Sequence, residues 1–321
     1  MTQRKHTYPI PGRLNLVLCG VLVLYNLAML LLLPFLLHHS LGYAFLWAPA
    51  LLLTSTYWSL VHDATHKSFY ANVKVNDACG RLMSVVFGSP FTFLRFGHLM
   101  HHRFSRTTPA DQTEVYHPER GFFVLRQCLY YFWLTMGLYL SEFFAPLITF
   151  LPVKLLRALV RRLLRENPEL ANIVSAQLLQ KKSLSKFRQD TVIVYLLFLL
   201  SFILYAQYWW ILVGALLVRG FIVSVADNLP HYGTPLNQAL YSYNMRAHPI
   251  WQKMLLNFNY HRVHHNHPKV SWKCLPEVFE ATDGKLDVDY WTQWRRQFRG
   301  LIAAEELESR VKEVSRLPNR P

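Results

Sequence analysis

Ten of the fifteen histidines fall in or beside three short boxes, or follow one acidic position, in a chain of 321 residues. The boxes are His62-Asp-Ala-Thr-His66, His98-Leu-Met-His101-His102 and His261-Arg-Val-His264-His265-Asn-His267, and the further element is Asp227-Asn228-Leu-Pro-His231. Residues three and four apart share one face of a helix, so each box aims its imidazoles in one direction, as metal ligation requires. Asp227 and His231 stand in the same i, i+4 relation, with Pro230 between them working against a regular helix. His6, His38, His39, His117 and His248 stand alone and read as ordinary polar groups, and His267 reads as a surface or supporting residue. Nine converging imidazoles exceed what one four-coordinate zinc ion uses, and no cysteine accompanies them. Imidazole suits iron, zinc, copper and nickel alike, but two ions with four or five histidines each fit the count. Beside a membrane and an apolar substrate, redox-active iron that activates O2 is the economical choice.

These boxes must be positioned by elements that lie in a membrane. Leu14 to Val61 holds 48 residues without Asp, Glu, Lys or Arg, and roughly 20 apolar residues cross a bilayer core of about 30 Å. Two crossings are expected, near 14–37 and 43–61, with His38-His39-Ser40 and Gly42 at the turn. A second apolar stretch from Thr191 to Ala226 is interrupted only by Arg219. The aromatic cluster Tyr205 to Trp210 in its middle suits a membrane–water interface, which splits it into crossings near 191–206 and 208–226. Asp77 to Leu94 and Gly121 to Leu151 are apolar but interrupted, and read as shallow or interfacial helices. Pro152 to Arg188 reads as basic and helical, the tail from Ala281 as polar, Glu305 to Arg316 as a solvated helix and Pro318 to Pro321 as a frayed end.

With four crossings, residues 1–13, 62–190 and 227–321 share one side and carry 33 of the 34 Lys and Arg. Basic residues flank the cytoplasmic ends of spans, so the boxes and both termini are expected in the cytoplasm. The first span, 24 residues long and without a small-residue cleavage site, does not read as a cleaved signal peptide. A composition of 52% hydrophobic residues excludes disorder, and four scattered cysteines make no disulfide scaffold. The net charge of +15 suits anionic membrane lipid or an acidic protein partner and shows no nucleic-acid pattern. A metal transporter would place ionisable residues within the spans, which hold only Arg219.

HDATH after paired spans, HLMHH some thirty residues on, a second pair of spans and then NYHRVHH resemble the integral-membrane fatty acid desaturase superfamily, which also includes hydroxylases and carotenoid ketolases. The resemblance covers most of the chain. It implies an all-α polytopic protein: a single membrane domain over 1–321, with four transmembrane helices in two hairpins. A helical cytosolic cap (62–190 and 227–300) would hold the di-metal site, followed by a polar tail (301–321). It implies iron ligation by His62, His66, His98, His101, His102, His261, His264 and His265, with His231 as a ninth ligand. Asp227 stands where membrane acyl-CoA desaturases have an Asn acting through water; it and Asn228 are candidates for ligand, water holder or outer hydrogen-bond acceptor. The three residues between His62 and His66 place the chain nearer the acyl-lipid and bacterial branch, and His261 stands where front-end desaturases often have Gln.

The implied activity is O2-dependent desaturation of an acyl chain by hydrogen abstraction at two irons; a hydroxylase, ketolase or acetylenase on the same scaffold, acting on a lipid or carotenoid-like substrate, is the alternative. The substrate would be an acyl-lipid, acyl-CoA or acyl carrier protein. No HPGG haem motif is present, so electrons are expected from a separate ferredoxin, rubredoxin or cytochrome b5 type donor. A narrow apolar tunnel is expected between helices and cap, with Trp58, Phe91, Phe93, Trp133 and Tyr260 as candidate lining.

Overall fold

The computed structural model describes residues 8–107, 111–117, 122–282 and 284–307. The fold is mainly helical. The first apolar stretch forms α1 (Gly12–Leu31) and α2 (Leu33–Leu37), separated at Leu32 because Pro34 sits in the first turn of α2. The second expected span is a 3₁₀ turn (Leu41–Leu46), α3 (Trp47–Leu52) and α4 (Thr54–His66), with a bend of 44° between the last two. α4 continues past Val61, so His62 and His66 lie on the span helix itself rather than beyond its end.

α5 (Val73–Phe87) and α6 (Phe91–Phe104) follow. Gly88, at φ 103°, ends α5 in a conformation that side chains disfavour. Gly80 lets the two helices close up, since a Cβ there would meet the Phe91 ring at 2.5 Å. The region expected as a shallow helix pair is instead one helical run: α7 (Phe123–Phe132), a π turn (Trp133–Gly137), α8 (Leu138–Phe144) and a 3₁₀ turn (Ala145–Phe150). Phe123–Phe150 is long and apolar enough to cross a membrane.

α9 (Val153–Leu163) and α10 (Pro168–Ile173) lead to α11 (Lys181–Tyr205), which starts ten residues before the uncharged stretch. Ala206, at φ 44°, breaks the chain before α12 (Trp209–Asn228). Phe198 of α11 lies against Gly88 while Arg219 of α12 donates to the Phe87 carbonyl at 3.4 Å, so positions on either side of the break reach one corner of the core. Three helical runs, Gly12–Leu31, Phe123–Phe150 and Lys181–Asn228, are apolar and long enough to cross a membrane, and the bent pair Leu41–His66 makes four. Arg219 is fully buried in this layer. Asn26 accepts from it at 2.5 Å, and the Phe87 and Trp47 rings lie 5.1 and 5.6 Å from the guanidinium, which supplies the partners a charge needs away from water.

The rest is short: α13 (Pro249–Met254), α14 (His261–Asn266), α15 (Leu275–Thr282) and α16 (Tyr290–Gln297). Two parallel two-residue ladders fasten these pieces: β1 (Val115–Tyr116) with β4 (Ile302–Ala303), and β2 (Met245–Arg246) with β3 (Val288–Asp289). Residues 304–307 are helical; the remainder of the expected 305–316 helix, residues 318–321 and His6 lie outside the described residues.

Candidate metal centre

The first box descends from the membrane layer on α4, and its position is fixed by buried polar contacts. Arg95 of α6 donates to the Thr65 carbonyl (3.0 Å) and pairs with Asp77 (3.0 Å), while Asn76 donates to the Ala64 carbonyl (2.9 Å). These donors satisfy the carbonyls left open at the end of α4, where His66 sits. Asp63, between the two ligand candidates, accepts from Ser271 at 3.0 Å and the Trp272 N–H at 3.3 Å, tying α4 to the loop after the third box. The second box, on α6, starts from a helix whose first turn is gripped by Asp190: the Thr92 hydroxyl donates at 2.8 Å, its N–H at 3.2 Å, and Arg81 pairs at 2.5 Å.

The third box occupies the short α14. Leu256 and Asn257 precede it in the left-handed region (φ 49° and 60°), and Ser59 and Thr56 of α4 donate to the Leu255 and Met254 carbonyls beside that bend. Arg262, inside the box, pairs with Asp287 at 2.8 Å and so anchors it to the residue that precedes β3. His231 lies in the turn after α12, which ends at Asn228, and it still lines one cavity with Asp227. Arg106, at φ 60°, is buried against Glu114 (2.8 Å) and donates to the Thr234 carbonyl (2.9 Å), while Glu114 accepts from the Gly233 N–H (3.0 Å). This ion pair joins the loop after the second box to the turn carrying His231.

All nine predicted histidines converge. The ligand atoms of His62, His66, His98, His102 and His264 lie within 4.8 Å of one another, and those of His101, His231 and His265 form a second such group. His261 joins the second group through its Nε2, 3.1 Å from that of His231. The two groups touch where the His102 and His265 rings stack at 4.2 Å. Nε2 to Nε2 separations are 2.8 Å for His66 and His98, 3.0 Å for His102 and His264, and 3.1 Å for His101 and His231. Two imidazole nitrogens bound at right angles to one ion at ~2.1 Å lie ~3.0 Å apart, so this crowding fits shared ions. Both ring nitrogens of His62 and His265 are buried without a hydrogen-bond partner, a costly state for polar atoms that a bound metal relieves.

Electrostatics agree with that fit. Burial, with the neighbouring histidines adding to it, pushes His102 down to about 2 and His261 to about 3, and holds His98, His231, His264 and His265 well below the usual imidazole range. They stay neutral, as ligands must. His101 differs. Burial pushes it down, but the Asp111 carboxylate, 3.1 Å from its Nδ1, outweighs burial and leaves it raised. Asp111 is the outer partner that no box motif revealed. Asp227 lines a cavity with His98, His101 and His231, and Asn228 in the same wall donates to Gln297 at 2.9 Å. His267 is exposed, and His248 caps α13; neither joins a group.

Two cavities open on the histidines and another adjoins them through shared walls. An apolar one of about 500 Å³ lies between α3, α12 and the tryptophans Trp251, Trp291 and Trp294. Ser55, Ala226, Leu255 and Tyr290 are shared with a small cavity at His62, His98 and His261. Trp58, His98, His101 and Asp227 are shared in turn with a third, about 310 Å³, that runs on to Phe93, Trp133 and Glu142. Trp58, Phe93 and Trp133 thus line the space as expected. Phe91 instead packs into the core at Gly80, and Tyr260 against Phe279.

The family model for fatty acid desaturases matches residues 39–297. The chain belongs to the fatty acid desaturase family. No curated protein and no solved structure matches it. As a member of this family the protein is an oxidoreductase of the desaturase and hydroxylase type, dependent on metal, with a lipid or acyl substrate and an electron donor. The helices that can cross a membrane make it a membrane protein. The matched region contains every histidine of both groups.

Proposed function

We propose that the protein is an O2-dependent acyl desaturase with two irons, one held by His62, His66, His98, His102 and His264 and the other by His101, His231, His261 and His265. The observation that carries this reading is the division of nine buried or half-buried, largely neutral histidines into two adjoining groups beside an apolar cavity at the membrane layer. The balanced reaction joins –CH2–CH2–, O2, two electrons and two protons to give –CH=CH– and two molecules of water. Bound iron supplies the capacity to reduce O2 and to oxidise an unactivated C–H bond.

The chain's own residues supply position and dryness. The acyl chain reaches the histidines through the apolar cavity, where Trp251, Trp291 and Trp294 exclude water. Trp58, Phe93 and Trp133 confine it beyond the centre, so that one C–C bond faces His98 and His101. Asp111 orients His101 by accepting from its Nδ1–H. Asp227 is an outer acceptor in the same wall. Electrons come from a separate ferredoxin, rubredoxin or cytochrome b5 type protein, and the substrate is acyl-lipid, acyl-CoA or acyl carrier protein. The bias of Lys and Arg supports a cytoplasmic face for the histidines and for both termini, with two hairpins of spans and a cap over 62–190 and 227–300 acting as one unit, an arrangement in which Phe123–Phe150 lies along the membrane face and does not cross.

The test is acyl profiling by mass spectrometry of a host expressing the chain, with His264→Ala as control. Loss of two hydrogens from a chain is expected. A gain of oxygen instead assigns the site to hydroxylation or ketolation, and loss of four hydrogens to triple-bond formation.

A further inference from the structure

Away from the histidines, a cavity of about 860 Å³ runs along one face of α11. Lys181, Ser185, Arg188 with Gln189, and Val192 recur at helical spacing and share that face, and from Lys181 to Ile193 the helix rises ~18 Å. The facing wall is Val153 and Arg157 of α9, held there by the small core of Leu156, Leu179 and Leu184. Polarity is graded along the groove. Arg157, Lys181 and Arg188 lie toward the start of α11, whereas Val192 and Ile193 belong to the uncharged stretch that begins at Thr191. Among the described residues, no carboxylate lines it. Asp190 is engaged elsewhere, on Arg81 and Thr92. Arg188 donates to the Thr149 and Leu151 carbonyls at 2.8 and 3.1 Å, which fixes its charge in place. α9 also carries Lys154, Arg161 and Arg162 and exposes Leu155 and Leu163, the composition of a helix lying in a membrane interface.

A groove that is cationic where a span begins and apolar where it enters the bilayer complements an amphiphile with an anionic head and an acyl tail. We propose that α9 and α11 bind one anionic phospholipid, its phosphate at Arg157, Lys181 and Arg188 and an acyl chain along Val192 and Ile193. The inference is independent of the oxidation chemistry and rests on α11 crossing the membrane. The same turn of α11 carries Asp190, which holds the first turn of α6 and so the helix of the second box.

The full chain in detergent, mixed with phosphatidylglycerol or phosphatidylcholine of identical acyl chains, tests this by native mass spectrometry. One phosphatidylglycerol is expected to stay bound, and phosphatidylcholine to be lost. Arg157→Gln with Lys181→Gln weakens retention about 30-fold, about a factor of five for each basic residue removed near an anionic head. Ser185→Trp keeps every cation but fills the groove and abolishes retention; Gln189→Trp replaces it should the first variant not elute as the wild type does. Arg161→Gln with Arg162→Gln makes the same charge change outside the groove and leaves the lipid bound. Equal retention of both lipids, retention in the tryptophan variant, equal loss in the Arg161 and Arg162 variant, or displacement by inorganic phosphate alone would each overturn the proposal.

Discussion

The two histidine groups use one kind of side chain and differ in what stands behind it. The group of His62, His66, His98, His102 and His264 is imidazole throughout; the outer Nδ1 atoms of His102 and His264 are buried without a hydrogen-bond partner. The group of His101, His231 and His265 has fewer ligand candidates, but Asp111 sits on the outer nitrogen of His101 and Asp227 lines the same cavity wall. One group obtains its affinity from ligand number and crowding. The other has one carboxylate, Asp111, that orients His101 and raises its basicity. The first therefore tolerates loss of a ligand better than the second.

The largest expected effect breaks the weaker side. His231→Ala leaves the smaller group without the residue that both His101 and His261 face at 3.1 Å. Bound iron should fall from two to one per chain by elemental analysis, and activity to background, while the protein still inserts and elutes normally. His102→Ala should also abolish turnover, but four histidines remain in its group, so its iron should persist at raised metal concentration. Loss of both ions in each variant would mean that the groups do not act as separate sites.

Asp111→Asn sharpens the contrast without removing a ligand. The charge that raises His101 disappears, and the expected result is a loss of about 10- to 100-fold in metal affinity or activity, in the range found for such outer partners. A chelator titration reads it: one ion should leave earlier than in the wild type, the other at the same chelator concentration.

The spacing of three and four within the boxes made their convergence legible in the sequence, because a helix turns those positions to one side. Two ions with four or five histidines each followed from the count, but which histidine joins which group was not legible. It depends on α6 sending His98 and His102 to one group and His101 to the other, which follows from rotation about a helix packed on α4 and α11. Asp111 was hidden because it follows the left-handed turn at Arg106, and the Arg106–Glu114 pair that shapes this loop joins residues with no recognisable spacing. The crossing expected to end near 61 continues as α4 to His66, where Arg95 and Asn76 donate to its last carbonyls. Phe123–Phe150 looked interrupted by Arg126, Glu142 and Pro146. Ser89 donates to buried Glu142 at 2.7 Å, and Pro146 falls where the run changes to a 3₁₀ turn, so the helix continues through both.

Proton uptake separates His101 from the other ligand candidates in the metal-free protein. His98, His102 and His264 have folded values below the unfolded value of about 6.5. As pH falls below that point the unfolded chain binds protons that the folded chain refuses, so stability is lost, at up to about 1.4 kcal/mol per pH unit for each such histidine. His101 has the opposite sign: its raised value contributes stability that is complete below pH ~6.5 and lost as pH rises through the folded value. The depressed group outnumbers it. The thermal midpoint of chelator-treated protein should therefore drop steadily from pH 6.5 toward pH 4, and drop more steeply in Asp111→Asn, where burial is no longer outweighed and the folded chain refuses a proton at His101 as well. Equal slopes in the two proteins would show that Asp111 does not govern His101.

The smallest effect is expected at Asp227→Asn, which restores the residue type of the acyl-CoA desaturases at this place. Among the described residues Asp227 makes no hydrogen bond to a histidine, unlike Asp111, so its influence on His101 passes through charge and the intervening cavity. Iron content should remain at two per chain and turnover should change by no more than about tenfold, the lower bound of what an outer residue commands. If Asp227 is instead a direct ligand of the smaller group, the same substitution removes one ion, and the comparison between a histidine-only group and a carboxylate-supported group becomes one between five nitrogen ligands and a mixed nitrogen and oxygen set.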